Sequence, residues 1–410
     1  MGRTVIVGNG VAAVSAAASI REVSQSEEII ICSAEPYLAY YRTKLSNLLG
    51  TIFSPPEIFI YQPSWYEENR IEVMLGQIVK KVNLKNKEVI TQNDDNVPYD
   101  TLIITTGGSP RIPRIDGLKK HGVFNLRSYE DSFKIKEYGE SRQDFIIAGG
   151  GVLGLEIAGA LKKWKKNVKL LVQSDQLLSR QLDPEAAGII DGMVREQGIE
   201  VYYNSEAAEI SGSHKVTGVY LKEGNLVSGE VVIFAAGIQP EVGFIEESHI
   251  LGKAGIAVNE NMRTKDPNVF AAGDAVEFQG MVQGRWPVAK MQGEIAGYNA
   301  AGREVSYQQI PPYNLVQTLD MQIYSVGVVS NKNVETFSSG NSSSGFFRKL
   351  FFSQGRLVGA ILIGDVAYSY IMKEAVSSGN DYSNLINDGT NTEEIISKMV
   401  KEYQSRNRSI

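Results

Sequence analysis

Two short glycine patterns hold most of the chemistry that this chain can do. Gly8-x-Gly10-x-x-Ala13 follows a strand-forming run, Thr4–Val7, and Gly149-x-Gly151-x-x-Gly154 follows Phe145–Ala148. In each, the first glycine permits a tight turn and the second lets backbone approach a pyrophosphate. The third small residue lets helix and strand pack closely. The helix that starts there turns its unpaired N–H groups toward the phosphate charge. One such pattern is a weak signal. Two of them, each between a strand and a small-residue helix, imply two dinucleotides.

Each turn needs a parallel sheet to hold it. In the first unit a helix is expected over Val11–Val23, kept slim by Ala12, Ala13, Ala16, Ala17 and Ala18. Glu28–Cys32 reads as the second strand, apolar throughout as a doubly covered sheet requires. Glu35 stands just beyond it, where a carboxylate can accept from a ribose. Arg42 and Lys44 lie among aromatics, a composition suited to an anionic, aromatic cofactor. Ile71–Thr91 is strand material that includes Val79, with a hairpin turn at Asn83–Lys87. Tyr99–Ser109 is a buried strand ending in Thr105-Thr106-Gly107, able to present N–H groups and hydroxyls to a ligand. Arg111–Arg114 reads as the exit linker.

The second unit begins near Asp116. Its helix is expected over Val152–Lys166 and ends in four lysines, a solvated end that suits the helix dipole. Val168–Val172 is its second strand, with Gln173 where an acidic ribose ligand is expected. Strands at Ile199–Tyr203, Val216–Leu221 and Val231–Ala236 follow, the last closed by Gly237. The chain then returns to the first unit. A strand at Val269–Ala272 stops at Gly273-Asp274, where an acid can approach a ribityl or ribose hydroxyl. The helix Val288–Ala301 has a small-residue face suited to packing beside a flat cofactor. From Tyr307 the texture alternates. Asn314–Val329 and Phe346–Ile363, with a turn at Ser353–Gly355, read as antiparallel strands. Ser338–Gly345 reads as a flexible loop, and helices at Tyr368–Ser377 and Thr392–Tyr403 close the chain.

The expected class is α/β: two dinucleotide-binding, Rossmann-like domains and a C-terminal α+β domain. Residues 1–112 with 243–305 form the first, 113–242 the second and 306–410 the third. A chain of 410 residues accommodates three such cores. Its formal charge of −6 argues against nucleic acid or an anionic membrane as partner. No apolar run reaches the roughly 18 residues of a membrane span, and the immediate entry into a strand leaves no room for a signal peptide. A single cysteine allows no intrachain disulfide. A cytoplasmic protein, monomeric or homodimeric and without a metal site, is expected. The three histidines, His121, His214 and His249, read as surface residues.

The order of these motifs, with Tyr41-Arg42, Glu156, Ala236-Gly237 and Ala272-Gly273-Asp274 in their places, resembles the two-dinucleotide-fold flavoprotein disulfide reductase family. The resemblance covers about three quarters of the chain, and the C-terminal segment looks like that family's interface domain. Tyr40–Ser46 and Leu178–Asp183 look most like NADH:rubredoxin reductases and the flavin portion of NADH-dependent nitrite reductases. It implies FAD on the first unit, beside Gly8, Gly10, Ala12, Ala13, Glu35, Arg42, Lys44, Val79, Thr105, Thr106, Gly107, Arg111, Gly273 and Asp274. It implies NAD(P)H on the second, beside Gly149, Gly151, Val152, Leu153, Gly154, Glu156, Gln173 and Gly237. Asp274 would hold the ribityl chain. Glu156 would lie near nicotinamide and flavin as a catalytic residue. In related enzymes it pairs with a lysine of the segment that here reads Arg42–Asn47, and Lys44 is this chain's candidate.

Disulfide-reducing members of the family need one or two cysteines within or just after the segment corresponding to Tyr40–Leu49, and none is there. Cys32, inside an apolar strand, is expected to be a small buried hydrophobe. Flavin chemistry alone remains: NADH gives two electrons as hydride, and the flavin releases them singly to a small carrier such as rubredoxin or ferredoxin. Two other readings stay open, an NADH oxidase or nitrite reductase flavin component and a non-catalytic, FAD-bearing interaction protein. NADH is expected to be preferred, weakly, because Gln173 cannot repel a 2′-phosphate by charge.

Overall fold

The computed structural model describes residues 2–51, 54–246, 248–329, 334–341, 344–386 and 390–407. Two parallel five-stranded sheets carry the glycine turns. The first runs in the order Val269–Ala271, Thr101–Ile104, Arg3–Val7, Glu28–Cys32, Ile71–Met74. The second runs Ile199–Tyr202, Asn167–Leu171, Asp144–Ala148, Val231–Phe234, Val123–Asn125. In both, the glycine-turn strand is central. Continuous apolar runs such as Val5–Val7 and Phe145–Ile147 are buried from both faces, as parallel strands require.

The chain returns to the first sheet through Val269–Ala271, which pairs with Thr101–Ile104. The following helix, Trp286–Ala300, lies on the first glycine-turn helix, Val11–Val23. Its small face is turned to that helix: a Cβ on Gly293 would collide with the Ala12 carbonyl, and one on Gly297 with that of Ala16. The sequence suggested that this face flanks the cofactor. Backbone-to-backbone approach of two helices is what uses it.

The linkers between the two units, Gly108–Pro110 and Ile238–Pro240, pair antiparallel with each other. The third unit is an antiparallel sheet, Tyr313–Thr318, Met321–Gly327, Arg356–Ile363, Phe346–Ser353, Glu335–Asn341, backed by helices Ser369–Ser378 and Thr392–Asn407. The expected loop at Ser338–Gly345 is corrected here. Ser338–Asn341 belongs to the edge strand, hydrogen-bonded in register from Ser338 opposite Lys349 to Asn341 opposite Phe346. Of that stretch, 342–343 lie outside the described residues.

One lysine of the expected solvated helix end is also corrected. The helix stops at Lys163, and Lys166 is buried, donating to the carbonyls of Gly139, Glu140 and Arg142. Its ammonium thus caps the end of the neighbouring helix, Tyr129–Gly139, where a cation opposes the dipole's negative end.

Candidate functional site

The two glycine turns are built alike. Gly8 has φ +103° and Gly149 φ +145°. A Cβ on Gly8 would strike the Thr105 carbonyl, and one on Gly149 would strike that of Ala235, so each turn is pressed against the exit of the next strand. Gly10 and Gly151 are the opposite case: a Cβ there would meet nothing within 4 Å. Each is the N-cap of its helix, Val11–Val23 and Val152–Lys163, and neither has a side-chain cap. Both helix starts therefore face open space with uncapped N–H groups, as a pyrophosphate site requires. Ala13 is fully buried, and Gly154 is so close to Gly149 that any Cβ would overlap its carbonyl. Ala12 packs under Gly273, whereas Val152 and Leu153 form the first turn of the second helix.

Beside the first turn, Asn9 gives its amide to the Tyr37 carbonyl (3.1 Å) while its Oδ1 is buried without a partner. That orphaned acceptor and the open Gly10 cradle fit a cofactor with hydroxyl and phosphate groups. Thr105 Oγ1 donates to Val7 O (3.0 Å), and Thr106 Oγ1 to Glu241 O (2.7 Å), which fixes the strand end. Gly107 has φ +72°. Val79 begins the strand Val79–Asn83, held to this edge through Gln77 N on Ser33 O (2.7 Å) and Gly76 N on Glu35 O (3.2 Å). Arg111 is exposed, and its N–H donates to Gly237 O (2.9 Å) across the linker pair.

Glu35 lies where the sequence put it, past the second strand, but its carboxylate is engaged. Tyr40 Oη donates to it at 2.6 Å, and Arg42 forms an ion pair with it. Arg42 also donates to the Arg127 carbonyl (2.8 Å). Arg127 reaches the other way, its guanidinium 3.2 Å from the Asp274 carboxylate. Gly273 N donates to the buried Gln292 at 2.9 Å and so holds Asp274 at the strand end. A chain of charges, Glu35, Arg42, Arg127 and Asp274, thus lines the space before the first glycine turn. Sequence reading missed Tyr40, Arg127 and Gln292. The signal for Arg127 was its position just before a capping box, Ser128-x-x-Asp131.

Lys44 is a correction. It is exposed, its ammonium 5.0 Å from the centre of the Tyr41 ring, and Tyr41 stacks on Trp286 at 5.7 Å. The partner of Glu156 is Ser46, a buried hydroxyl on the short helix Leu45–Leu48. Burial pushes the Glu156 carboxyl up to about 7, with the Ser46 hydrogen bond pulling the other way. Behind Glu156, Thr318 of the C-terminal sheet donates to the Leu155 carbonyl (3.1 Å). Lys349 of the same sheet is 2.6 Å from both Asp183 and Glu185. Gln173 sits at the end of the second strand and hydrogen-bonds Glu206. Cys32 is 1% exposed, and burial pushes its thiol up to about 12, so it is no nucleophile.

Two glycine turns in units joined by a charged, partly buried junction, Arg42 to Arg127 to Asp274, define a flavoprotein that takes electrons from a nicotinamide nucleotide. The family model described as pyridine nucleotide-disulphide oxidoreductase matches residues 2–293, and the rubredoxin NAD+ reductase C-terminal domain matches 312–380. The chain belongs to the pyridine nucleotide-disulphide oxidoreductase family, with FAD and NADH as its cofactors.

It is 30% identical to the NADH-rubredoxin oxidoreductase of Clostridium acetobutylicum over 387 residues, 93% of this chain and 96% of that one. It is 31% identical to the nitrite reductase [NAD(P)H] of Bacillus subtilis, covering 90% of this chain but 47% of that protein. The crystal structure of the clostridial NADH:rubredoxin oxidoreductase superposes with a TM-score of 0.81 at 28% identity, over 97% of this chain and 99% of that one. A ferredoxin reductase of Rhodopseudomonas palustris, at 20% identity and TM-score 0.87 over 97% and 99% of the two chains, shares the fold.

Proposed function

We propose that this enzyme binds NADH on its second glycine-turn unit, oxidises it, and passes the electrons through FAD to a small one-electron carrier of the rubredoxin or ferredoxin type. The observation that carries this is the state of Cys32. It is the only thiol in the sequence, and it is walled into the first sheet. No side chain of this sequence would therefore serve as a thiol relay between flavin and acceptor. FAD supplies hydride acceptance from NADH and one-at-a-time electron release.

This chain's residues do the rest. The helix starts at Gly10 and Gly151 would bind the two pyrophosphates. Asp274, steadied by Arg127, would hold the ribityl hydroxyls. Glu35, its charge shared with Arg42 and Tyr40, would take the ribose of the FAD adenosine. Glu156, held by Ser46, would sit beside the nicotinamide as a group able to hold or release a proton near neutral pH. Exposed Lys44 offers a positive charge to an acidic carrier. The proposed division is 1–112 with 243–305, 113–242 and 306–410, supported by the sheet pairings.

Stopped-flow reduction with NADH, followed by rubredoxin, ferredoxin or dioxygen, tests the proposal. Fast reoxidation by a carrier protein supports it. Rapid reoxidation by dioxygen alone, with slow transfer to either carrier, would make the enzyme an NADH oxidase instead.

A further inference from the structure

We propose that Glu206 is the group that selects NADH over NADPH, reaching in from the loop after the third strand to replace the carboxylate missing after the second. This rests on NADH being the electron donor.

The two folds of this chain offer an internal comparison. In the first, the acid at the ribose edge is Glu35, three residues beyond its own second strand, Glu28–Cys32. In the second, the corresponding strand Asn167–Leu171 runs into Val172-Gln173, and a neutral amide stands there. The neighbouring strand Ile199–Tyr202 pairs with it in parallel register, Leu171 opposite Tyr202. That pairing continues past both strand ends. Val172 N donates to Tyr202 O at 2.8 Å, Ser205 N to Val172 O at 3.0 Å, and Asn204 N to Ser174 O at 3.1 Å.

These three backbone bonds bring Glu206 to Gln173, whose side-chain amide hydrogen-bonds the Glu206 carboxylate. On its other side, Lys222 N donates to Glu206 O (2.9 Å), and the Lys222 ammonium lies 2.7 Å from Glu206 Oε1. The hydrogen bond from Lys222, and then that from Gln173, hold the carboxyl below its usual range, so it is charged at neutral pH.

A carboxylate at this edge accepts from the ribose 2′-hydroxyl and repels a 2′-phosphate. Placed on the third strand's loop, it keeps both abilities, and Gln173 becomes a neutral spacer that orients it. Lys222 offsets part of its charge. Selection for NADH is therefore present but weaker than a lone acid would give. The same arrangement makes Lys222 a latent phosphate ligand once Glu206 is neutralised.

The test compares Glu206→Gln, Lys222→Met and the double variant as FAD-loaded enzymes. Calorimetry with 5′-AMP and adenosine 2′,5′-bisphosphate measures the cost of the 2′-phosphate without turnover. The NADH-to-NADPH ratio of kcat/KM, split into kcat and KM, measures it in turnover. Lys222→Met should raise the discrimination. Adding Glu206→Gln to it should lower discrimination by about three- to tenfold, the effect of one exposed charge at contact range, with the change falling in KM. Equal bisphosphate affinity in Lys222→Met and the double variant would overturn the proposal, because Lys222 is absent from both. Reduction of the unaltered enzyme's flavin by NADH tests the donor reading separately.

Discussion

The carboxyl of Glu156 is met by the hydroxyl of Ser46, while Lys44 lies outside over Tyr41. A hydroxyl stabilises a buried carboxylate less than an ammonium does, so desolvation prevails and the group titrates near 7. The proton on Glu156 is thus exchangeable under working conditions.

This fixes a pH dependence. The ordinary value is 4.5, and the folded value is about 7. Between them the folded chain binds the extra proton, so stability falls as pH rises through that window and levels off above it. Glu156→Gln should abolish this fall, gaining up to about 3 kcal/mol on the native chain between pH 5 and pH 8. Denaturant midpoints at the two pH values check it, and a constant difference rejects it. Ser46→Ala should move the titration above 7.

Asp274 and Arg127 form one unit, joined across the two glycine-turn units. Asp274→Ala removes the carboxylate proposed to hold the ribityl chain and leaves the guanidinium without that ion pair. FAD retention should weaken by about 1.5–3 kcal/mol, the scale of a charged hydrogen bond. Flavin fluorescence during equilibrium dialysis measures it, and unchanged retention would remove Asp274 from the site.

Cys32→Ser should leave turnover near that of the native enzyme, since the thiol is buried and held in its protonated form. Stability should fall by about 1–3 kcal/mol for a hydroxyl placed in the sheet. Loss of reductase activity in a folded variant would bring back a thiol step.

Gly293→Ala tests the contact between helices Val11–Val23 and Trp286–Ala300. Its new Cβ has no room above the Ala12 carbonyl, so the first helix must shift together with its start at Gly10, the proposed phosphate site. Overpacking of this kind costs about 1–3 kcal/mol. Thermal melts should show it together with weaker FAD binding. Undiminished stability would mean that the helices do not cross there.

Much of this was legible from short-range pattern. The glycine turns, the strand runs and the helix Val11–Val23 follow from local residue types and spacing. What stayed hidden depends on which loops the sheets bring together. Gln173 reads as a site lacking an acid, because Glu206 arrives only through pairing with a third strand. Lys44 reads as a partner for Glu156, because spacing cannot show that the Leu45–Leu48 turn points Ser46 inward. Ser338–Asn341 reads as loop by composition. The apolar strand beside it overrides that preference by supplying a ladder of hydrogen bonds.

The Thr318 hydroxyl occupies the room that a side chain at Gly159 would need, and it is anchored on the Leu155 carbonyl, one residue before Glu156. The C-terminal segment is therefore not a free-standing attachment that can be exchanged between homologues. A chimera that imports this sheet must import the glycine of the receiving helix with it. A graft onto a helix carrying alanine at that position would displace the backbone that presents Glu156, from a contact made by the C-terminal sheet rather than by either glycine turn.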